Sequence, residues 1–310
     1  MMYAFYRAVA FLVRILPLKG AYWLLLRICD AMYFCNRRGR AAVREHIHII
    51  FEHQGILPSR HILDGCTRKT FQAFGKYLAD FIRFRKLSPD EVRAQISIQG
   101  YEHLERIRDT RRGAIFLTAH YGNWELGGAF ITSMGIPLNA VVRPVDSPAL
   151  ERLFHWFRRQ RGMKVIPLAH AGIGVIKALK RGEAVALVGD RDFTGNGRRW
   201  KFFGRETSLP RGAAWFAHRT GAPIYMGFAT RAPDDTFILR ILPPIEPADY
   251  PDEDAIQARI VAVMEDTIAR DPTQWFIFDP FWPDELANAH PLPDTAAWLN
   301  PRSAAPLAPP

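Results

Sequence analysis

Cysteine is scarce in this chain, whose 310 residues include three: Cys29, Cys35 and Cys66. Their number is odd and none belongs to a Cys-x-x-Cys pair, which argues against a disulfide framework and against a structural zinc site. We interpret them as reduced thiols that pack within the protein, consistent with a cytosolic environment.

The chain also lacks the motifs of several enzyme classes. It has no Gly-x-Ser-x-Gly sequence, so a serine hydrolase of the α/β type is unsupported. It has no Gly-x-x-x-x-Gly-Lys-Ser/Thr sequence, which excludes a nucleotide-binding P-loop.

Acidic residues are fewer than basic ones, 31 against 41, which gives a net charge of +10. This surplus fits an anionic partner: nucleic acid, an anionic membrane surface, a phosphorylated lipid or an acidic carrier protein.

Near the N-terminus, no apolar run reaches the roughly 20 residues that a membrane-spanning helix needs. Residues 3–16 are apolar and aromatic apart from two arginines on one side, and a second apolar run, 21–35, carries one arginine and one aspartate. Two such segments in tandem predict an anchor over residues 1–35 that lies in a membrane interface. The alternative is a pair of helices packed on the core of the domain.

Helical and strand patterns divide the rest of the chain. Residues 36–95 are polar and basic with helical spacing, and they predict a helical lead-in. From residue 96 to 270, short apolar runs alternate with helical segments, which predicts an α/β fold with a mostly parallel sheet flanked by helices. We therefore predict one catalytic domain over residues 36–283, followed by a loose Pro- and Ala-rich tail over 284–310.

A histidine and a carboxylate follow the apolar run 114–119, at a predicted strand-to-helix turn. Open α/β sheets place their sites at this carboxyl edge. General-base catalysis on an alcohol needs a neutral imidazole that takes the proton and a carboxylate that fixes its tautomer and stabilises the cation. We therefore predict His120 as the general base and Glu125 as its orienting carboxylate. Asn123 is predicted to cap the helix that follows.

Charged residues follow two other predicted strands. Asp190, Arg191 and Asp192 come directly after the apolar run 184–188. They could bind a divalent metal, orient a polar headgroup or hold the arginine for a phosphate, whereas the simpler alternative is an Asp-capped turn. Arg143 could clamp a phosphate with two hydrogen bonds, or it is a surface arginine before a rigid turn.

The segment 198–205 interleaves basic and aromatic residues. This pattern suits a lip that meets acyl chains and anionic headgroups, and it suits single-stranded nucleic acid equally well. The alternative is a hairpin with a solvated face.

In their order along the chain, these motifs resemble those of the bacterial lipid A late acyltransferases, the lauroyl and myristoyl transferases within the lysophospholipid acyltransferase superfamily. The resemblance covers roughly residues 1–283 and implies a glycerolipid acyltransferase-like fold. Beside the apolar N-terminus, it is carried by residues 118–125, 143–144 with Pro148, 190–192, 202–204, Gly212 and 220–223.

The resemblance implies transfer of a fatty acyl group from an acyl carrier protein thioester to a hydroxyl of a lipid A precursor. It implies a location at the cytoplasmic face of the bacterial inner membrane. In that scheme His120 is the base and Glu125 supports the imidazolium, while Asn123, Arg143 and residues 190–192 contact substrate. The expected partners are the carrier protein, an anionic lipid acceptor and the membrane; no metal, other cofactor or nucleic acid is implied.

Two departures from the family pattern concern the acceptor. The family often has glutamine where this chain has Arg191, and residues 274–282 keep the family's aromatics but lose its histidine and basic residues. Another glycolipid or a lysophospholipid is therefore the alternative acceptor. Two other classes of protein stay open: a thioesterase that uses water with the same catalytic pair, and a non-catalytic binder of membranes or nucleic acid.

Overall fold

The chain folds with a layer of helices before its first strand. The computed structural model describes residues 2–83, 88–144 and 148–282. The helices before the first strand are α1 (Met2–Ile15), α2 (Leu18–Cys35), α3 (Arg37–His53), α4 (Arg60–Arg83) and α5 (Pro89–Gln95). The predicted helical lead-in is therefore confirmed, and the predicted tail lies outside the described residues.

Strands and helices then alternate as the sequence predicts. The strands are β1 (Ile96–Gln99), β2 (Ala114–Thr118), β3 (Leu138–Val142), β4 (Lys164–Pro167), β5 (Ala184–Val188), β6 (Arg198–Phe202), β7 (Arg205–Leu209), β8 (Ile224–Arg231) and β9 (Phe237–Ile241). The helices among them are α6 (Tyr101–Thr110), α7 (Trp124–Ser133), α8 (Pro148–Gln160), α9 (Ala171–Lys180), α10 (Gly212–Thr220) and α11 (Glu253–Arg270).

Seven of these strands form one sheet in the order β1-β9-β8-β2-β5-β3-β4. All neighbours pair in parallel except β8 and β9, so the predicted mostly parallel sheet is confirmed. The remaining strands, β6 and β7, form an antiparallel hairpin, which was the alternative for residues 198–205.

The central strand β2 is buried on both faces, as expected of a parallel sheet covered by helices. Ile115 and Leu117 belong to one apolar core with residues of α9, α10 and α11, whereas Ala114 and Phe116 belong to a second core with residues of α6 and α7. This alternation follows from the two-residue period of a strand. It makes β2 a rigid support for whatever follows its carboxyl end.

The two N-terminal helices pack on the protein and also expose large apolar side chains. Helix α2 buries Ala21, Tyr22 and Leu25 with Ala79 of α4, so it is packed on the protein. The same pair of helices exposes large apolar side chains, with these exposed fractions: Phe11 61%, Ile15 58%, Leu18 43%, Trp23 63% and Phe34 62%. Among the described helices, none combines the length and the apolar composition of a membrane span.

Candidate active site

His120 stands at the carboxyl edge of the sheet, two residues beyond the end of β2. The turn that follows requires glycine at position 122, which has φ +62°, because a Cβ there would lie 2.2 Å from the carbonyl oxygen of Ala229. The imidazole is 23% exposed, so a substrate can reach it. Its ring lies edge-on to Trp124 and Phe193, with ring centroids 5.3 and 6.2 Å away.

Asp190 is the carboxylate that holds this imidazole. Its Oδ1 lies 2.8 Å from His120 Nδ1, and its Oδ2 accepts the backbone N–H of His120 at 2.9 Å. The reason is strand register: Thr118 of β2 pairs with Val188 of β5, so the residues two positions beyond each strand are neighbours. With Nδ1–H donated to the carboxylate, Nε2 is the nitrogen that can take a proton from a substrate hydroxyl.

Asp190 is fully buried, yet it stays ionised. Burial alone would raise its pKa, but the charge of His120 and the hydrogen bonds from the imidazole, the backbone of His120 and the indole of Trp275 outweigh burial. They hold the pKa of Asp190 below its ordinary value of 3.8. The buried anion can therefore stabilise the imidazolium that forms when His120 takes a proton.

Residues 274–276 brace the turn from the other side. Trp275 Nε1 donates to Asp190 Oδ2 at 2.8 Å. The carbonyl oxygen of Gln274 accepts the N–H of Gly122 at 2.9 Å, and Phe276 donates its N–H to the carbonyl oxygen of His120 at 2.8 Å. The sequence analysis missed this role. The aromatic run was visible in the sequence, but nothing in it indicates contact with residues more than 150 positions earlier.

The predicted contact of Glu125 with the imidazole is absent from the structure, in which Asp190 meets His120 instead. Glu125 Oε1 accepts hydrogen bonds from Arg158 Nε at 3.1 Å and Nη2 at 2.5 Å, and no hydrogen bond or ion pair joins it to His120 among the described residues. Glu125 lies in the first turn of α7, where its side chain faces the largely buried guanidinium of Arg158 on α8. Because a buried cation needs a charged partner, Arg158 takes the carboxylate.

Asn123 caps α7 as predicted: its Oδ1 accepts the N–H of Leu126 at 3.1 Å. Its amide nitrogen lies 3.4 Å from Asp80 Oδ2, at the long end of hydrogen bonding, and the side chain is buried. The structure therefore gives Asn123 a structural role at the turn.

Two of the predicted substrate contacts meet at one exposed ring. The guanidiniums of Arg143 and Arg191 lie 5.1 and 4.9 Å from the centroid of Phe193, the ring that also borders His120. Arg191 Nη2 also donates to Asp279 Oδ2 at 2.8 Å. Two cations beside an exposed aromatic ring and His120 can attract an anionic group of a substrate.

Asp192 faces its own loop. Its two carboxylate oxygens accept hydrogen bonds from the backbone N–H groups of Thr194 and Gly197 and from the hydroxyl groups of Thr194 and Ser208. This is the Asp-capped turn that the sequence analysis considered as the simpler alternative. In the part of the chain that the structure describes, no three His, Cys, Asp or Glu side chains gather to hold a metal ion.

Comparison with known proteins bears on the chemistry that this site serves. The family model described as "Bacterial lipid A biosynthesis acyltransferase" matches residues 1–283. The phosphatidylinositol mannoside acyltransferase of Mycolicibacterium smegmatis is 25% identical over 238 residues, which cover 74% of this chain and 77% of that protein. The lipid A biosynthesis palmitoleoyltransferase of Escherichia coli is 29% identical over 219 residues, 68% of each chain.

One solved structure, the 1-acyl-sn-glycerophosphate acyltransferase PlsC from Thermotoga maritima, is 12% identical with a TM-score of 0.40. The alignment covers 84% of this chain and 100% of that one. This score is too low for the likeness to bear on the function.

Proposed function

The chain belongs to the bacterial lipid A biosynthesis acyltransferase family, and from that membership we propose that it moves a fatty acyl group from an acyl carrier protein thioester to a hydroxyl of a lipid A precursor. That the protein is an acyltransferase follows from the family and from its relatives. The donor, the acceptor and the residues that act are our proposal. The observation that carries it is the contact between the buried, ionised Asp190 and the accessible imidazole of His120.

In the proposed reaction, His120 Nε2 removes the proton of the acceptor hydroxyl while its oxygen attacks the thioester carbonyl carbon. Asp190 stabilises the resulting imidazolium through Nδ1. The tetrahedral intermediate collapses as the carbon–sulfur bond breaks, and the imidazolium returns the proton to the departing thiolate. The products are the lipid ester and the free carrier thiol, and His120 is neutral again.

The turn amides are poor candidates for stabilising the oxyanion of that intermediate. The N–H groups of Gly122 and Asn123 already donate to the carbonyl oxygens of Gln274 and Ala229. Arg143 and Arg191, which flank Phe193 beside the base, are the cations we assign either to the oxyanion or to a phosphate of the acceptor.

The charges and the exposed apolar side chains support the proposed partners and location. The surplus of +10 suits an acidic carrier protein and a phosphorylated lipid. The large apolar side chains exposed on α1 and α2 suit helices that lie in the interface of a membrane. We therefore place the enzyme at the cytoplasmic face of the bacterial inner membrane, with α1 and α2 as its anchor.

A second acceptor class is supported by the relatives. Several curated relatives, which match 74–84% of this chain, are named phosphatidylinositol mannoside acyltransferases. A glycolipid built on phosphatidylinositol is therefore the second candidate acceptor, and it fits the same His120 chemistry.

Mass spectrometry of the reaction products tests the proposal. Purified protein in detergent receives an acyl carrier protein thioester and, in separate reactions, a lipid A precursor, a phosphatidylinositol mannoside or no lipid, with His120→Ala as control. The proposal expects one added acyl mass on the lipid A precursor and a loss of about 100- to 10,000-fold in rate for the variant. Acylation of the phosphatidylinositol mannoside alone would reject the lipid A precursor as the acceptor and assign the inositol glycolipid in its place. Equal release of free fatty acid with and without lipid would make the protein a thioesterase and reject the proposal.

A further inference from the structure

A buried carboxylate other than Asp190 lies close to the turn at residues 120–123 that joins β2 to α7. This turn carries His120 and is called the catalytic turn below. Asp80 of α4 is 3% exposed. It accepts hydrogen bonds from Tyr22 of α2, whose Oη lies 2.7 Å from Oδ1, and from the guanidinium of Arg231 at the end of β8. Burial raises the pKa of Asp80 to about 6, against the opposing effects of Arg231 and Tyr22. Keeping a charge here is costly, and a buried ion pair of this kind is often replaceable by apolar residues without loss of stability.

Asp80 reaches the catalytic turn by two routes. The direct route is the contact of its Oδ2 with the Asn123 amide, which lies 3.4 Å away. The second route runs through Arg231, whose backbone N–H and carbonyl oxygen bond the side chain of Gln274 at 2.9 and 3.1 Å. The carbonyl oxygen of Gln274 in turn accepts the N–H of Gly122. Both routes end within three residues of His120.

The geometry assigns Asp80 the role of a positioning residue: it ties the N-terminal helices to the catalytic turn and so holds His120 in the orientation that the reaction needs. The inference rests on the proposed function, in which His120 is the base. A shared hydrogen-bond network of this kind fixes one arrangement of its members, because each partner has only one place where its hydrogen bonds are satisfied.

The chain offers a matched control in Asp30. This carboxylate is also buried, lies on α2 and accepts hydrogen bonds from Arg68 and Gln72 of α4 at 2.8 and 2.7 Å. It therefore joins the same two helices as Asp80. None of its partners among the described residues contacts the catalytic turn. Asp30→Asn and Asp80→Asn should weaken the same helix pair, and the second alone should loosen the turn.

The test compares the two variants in the full-length protein by hydrogen exchange and by kinetics. For Asp80→Asn we expect the amides of residues 122–126 to exchange at least about 10-fold faster, and kcat to fall about 10- to 100-fold with KM for the acyl donor nearly unchanged. For Asp30→Asn we expect wild-type exchange at those amides and a kcat close to wild type. Equal exchange in the two variants, or losses of kcat that follow their melting temperatures alone, would overturn the inference.

Asn123→Ser adds a second variant that keeps a capping hydroxyl and removes the contact with Asp80. This variant should also speed the exchange of the amides of residues 122–126. The double variant Asp80→Asn/Asn123→Ser should show the same exchange rates and the same kcat as Asp80→Asn alone, because the two side chains act in one chain of contacts. Additive losses would contradict the direct route. If the wild-type protein transfers no acyl group, the proposed function fails while the exchange comparison still decides the role of Asp80.

Discussion

At the scale of single residues, the carboxylate on Nδ1 determines how His120 can act. Asp190 accepts hydrogen bonds from Nδ1 and from the backbone N–H of His120, so both the orientation of the ring and the position of the backbone that carries it are fixed. The indole of Trp275 then fixes Asp190. This chain of hydrogen bonds leaves Nε2 as the nitrogen that can accept a proton, and it makes Asp190, two residues beyond β5, the partner of His120.

Replacing each candidate carboxylate by its amide separates their roles. Asp190→Asn should lower kcat on the order of 100- to 10,000-fold, because asparagine cannot stabilise the imidazolium. Glu125→Gln should lose less than about 10-fold in kcat under conditions where it is folded, because its side chain does not touch the ring. Steady-state acyl transfer by the two purified variants measures both effects. A folded Glu125→Gln protein that loses as much as Asp190→Asn would contradict this assignment.

The indole hydrogen bond of Trp275 should be visible in acid unfolding. Because the pKa of Asp190 is below 3.8 in the folded protein, its ionisation adds stability above pH 3.8 that is lost as the pH falls through the folded value. Trp275→Phe removes one of the hydrogen bonds that lower this pKa, so Asp190 should add less stability above pH 3.8, and the variant should lose less stability on acidification than the wild type. Denaturant unfolding of the wild-type protein and of Trp275→Phe at pH values between 2 and 6 measures this pH dependence of stability.

Trp282→Phe is the matched control for the acid unfolding experiment. Trp282 is equally buried, but its indole donates to the carbonyl oxygen of Phe202 rather than to a carboxylate. It should lower stability by a similar amount at every pH. Identical pH profiles for the two variants would show that Trp275 does not act through Asp190.

At the scale of elements, helices α7 and α8 are joined by the ion pair of Glu125 and Arg158. Their side chains are 6% and 17% exposed, so both charges are largely removed from water. The buried carboxylate lies in the first turn of α7, where the helix dipole also favours a negative charge. Each charge depends on the other, so the pair acts as one unit.

Removing one partner of this pair should be worse than removing both. Glu125→Leu or Arg158→Met alone should each lower the free energy of unfolding by about 3–5 kcal/mol, because one largely buried charge is left unpaired. The double variant Glu125→Leu/Arg158→Met should recover a large part of that loss. Urea unfolding of the three variants measures this. A double variant whose loss equals the sum of the single losses would show that the charges do not depend on each other.

At the scale of the whole molecule, charge and exposed apolar side chains have different distributions. Basic residues are spread along the chain, whereas the large exposed apolar side chains include a group on α1 and α2: Phe11, Ile15, Leu18, Trp23 and Phe34. Phe11 and Ile15 are four residues apart and share one face of α1. An interfacial helix buries such a face among lipid headgroups and acyl chains.

The triple variant Phe11→Ser/Ile15→Ser/Trp23→Ser should therefore bind membranes more weakly. Full burial of each large apolar side chain contributes about 1.5–3 kcal/mol, so the partition coefficient to anionic phospholipid vesicles should fall by more than about 10-fold. Ile173→Ser is the control, because Ile173 is 69% exposed but lies on α9. Vesicle co-sedimentation measures the binding. Unchanged binding of the triple variant would reject α1 and α2 as the anchor.

The sequence by itself determined the elements, the edge of the sheet that carries the candidate site, and the histidine that stands there. Apolar runs of four to eight residues between helical patterns have few structural solutions, so the strands and the parallel sheet could be predicted. Asn123 was identifiable as a cap, since capping depends on residues only three positions apart. His120 was identifiable because it directly follows a buried strand. These features depend on short separations along the chain.

Only the tertiary structure decided which carboxylate meets His120. Glu125 is nearer to His120 in sequence, but the pairing of β2 with β5 brings Asp190 to the imidazole, and Arg158 of α8 takes Glu125. Trp275, which follows α11, reaches Asp190 from 85 positions away. Strand order and helix packing set such contacts, because the free energy of folding depends on the joint burial of many distant residues, which no local pattern records.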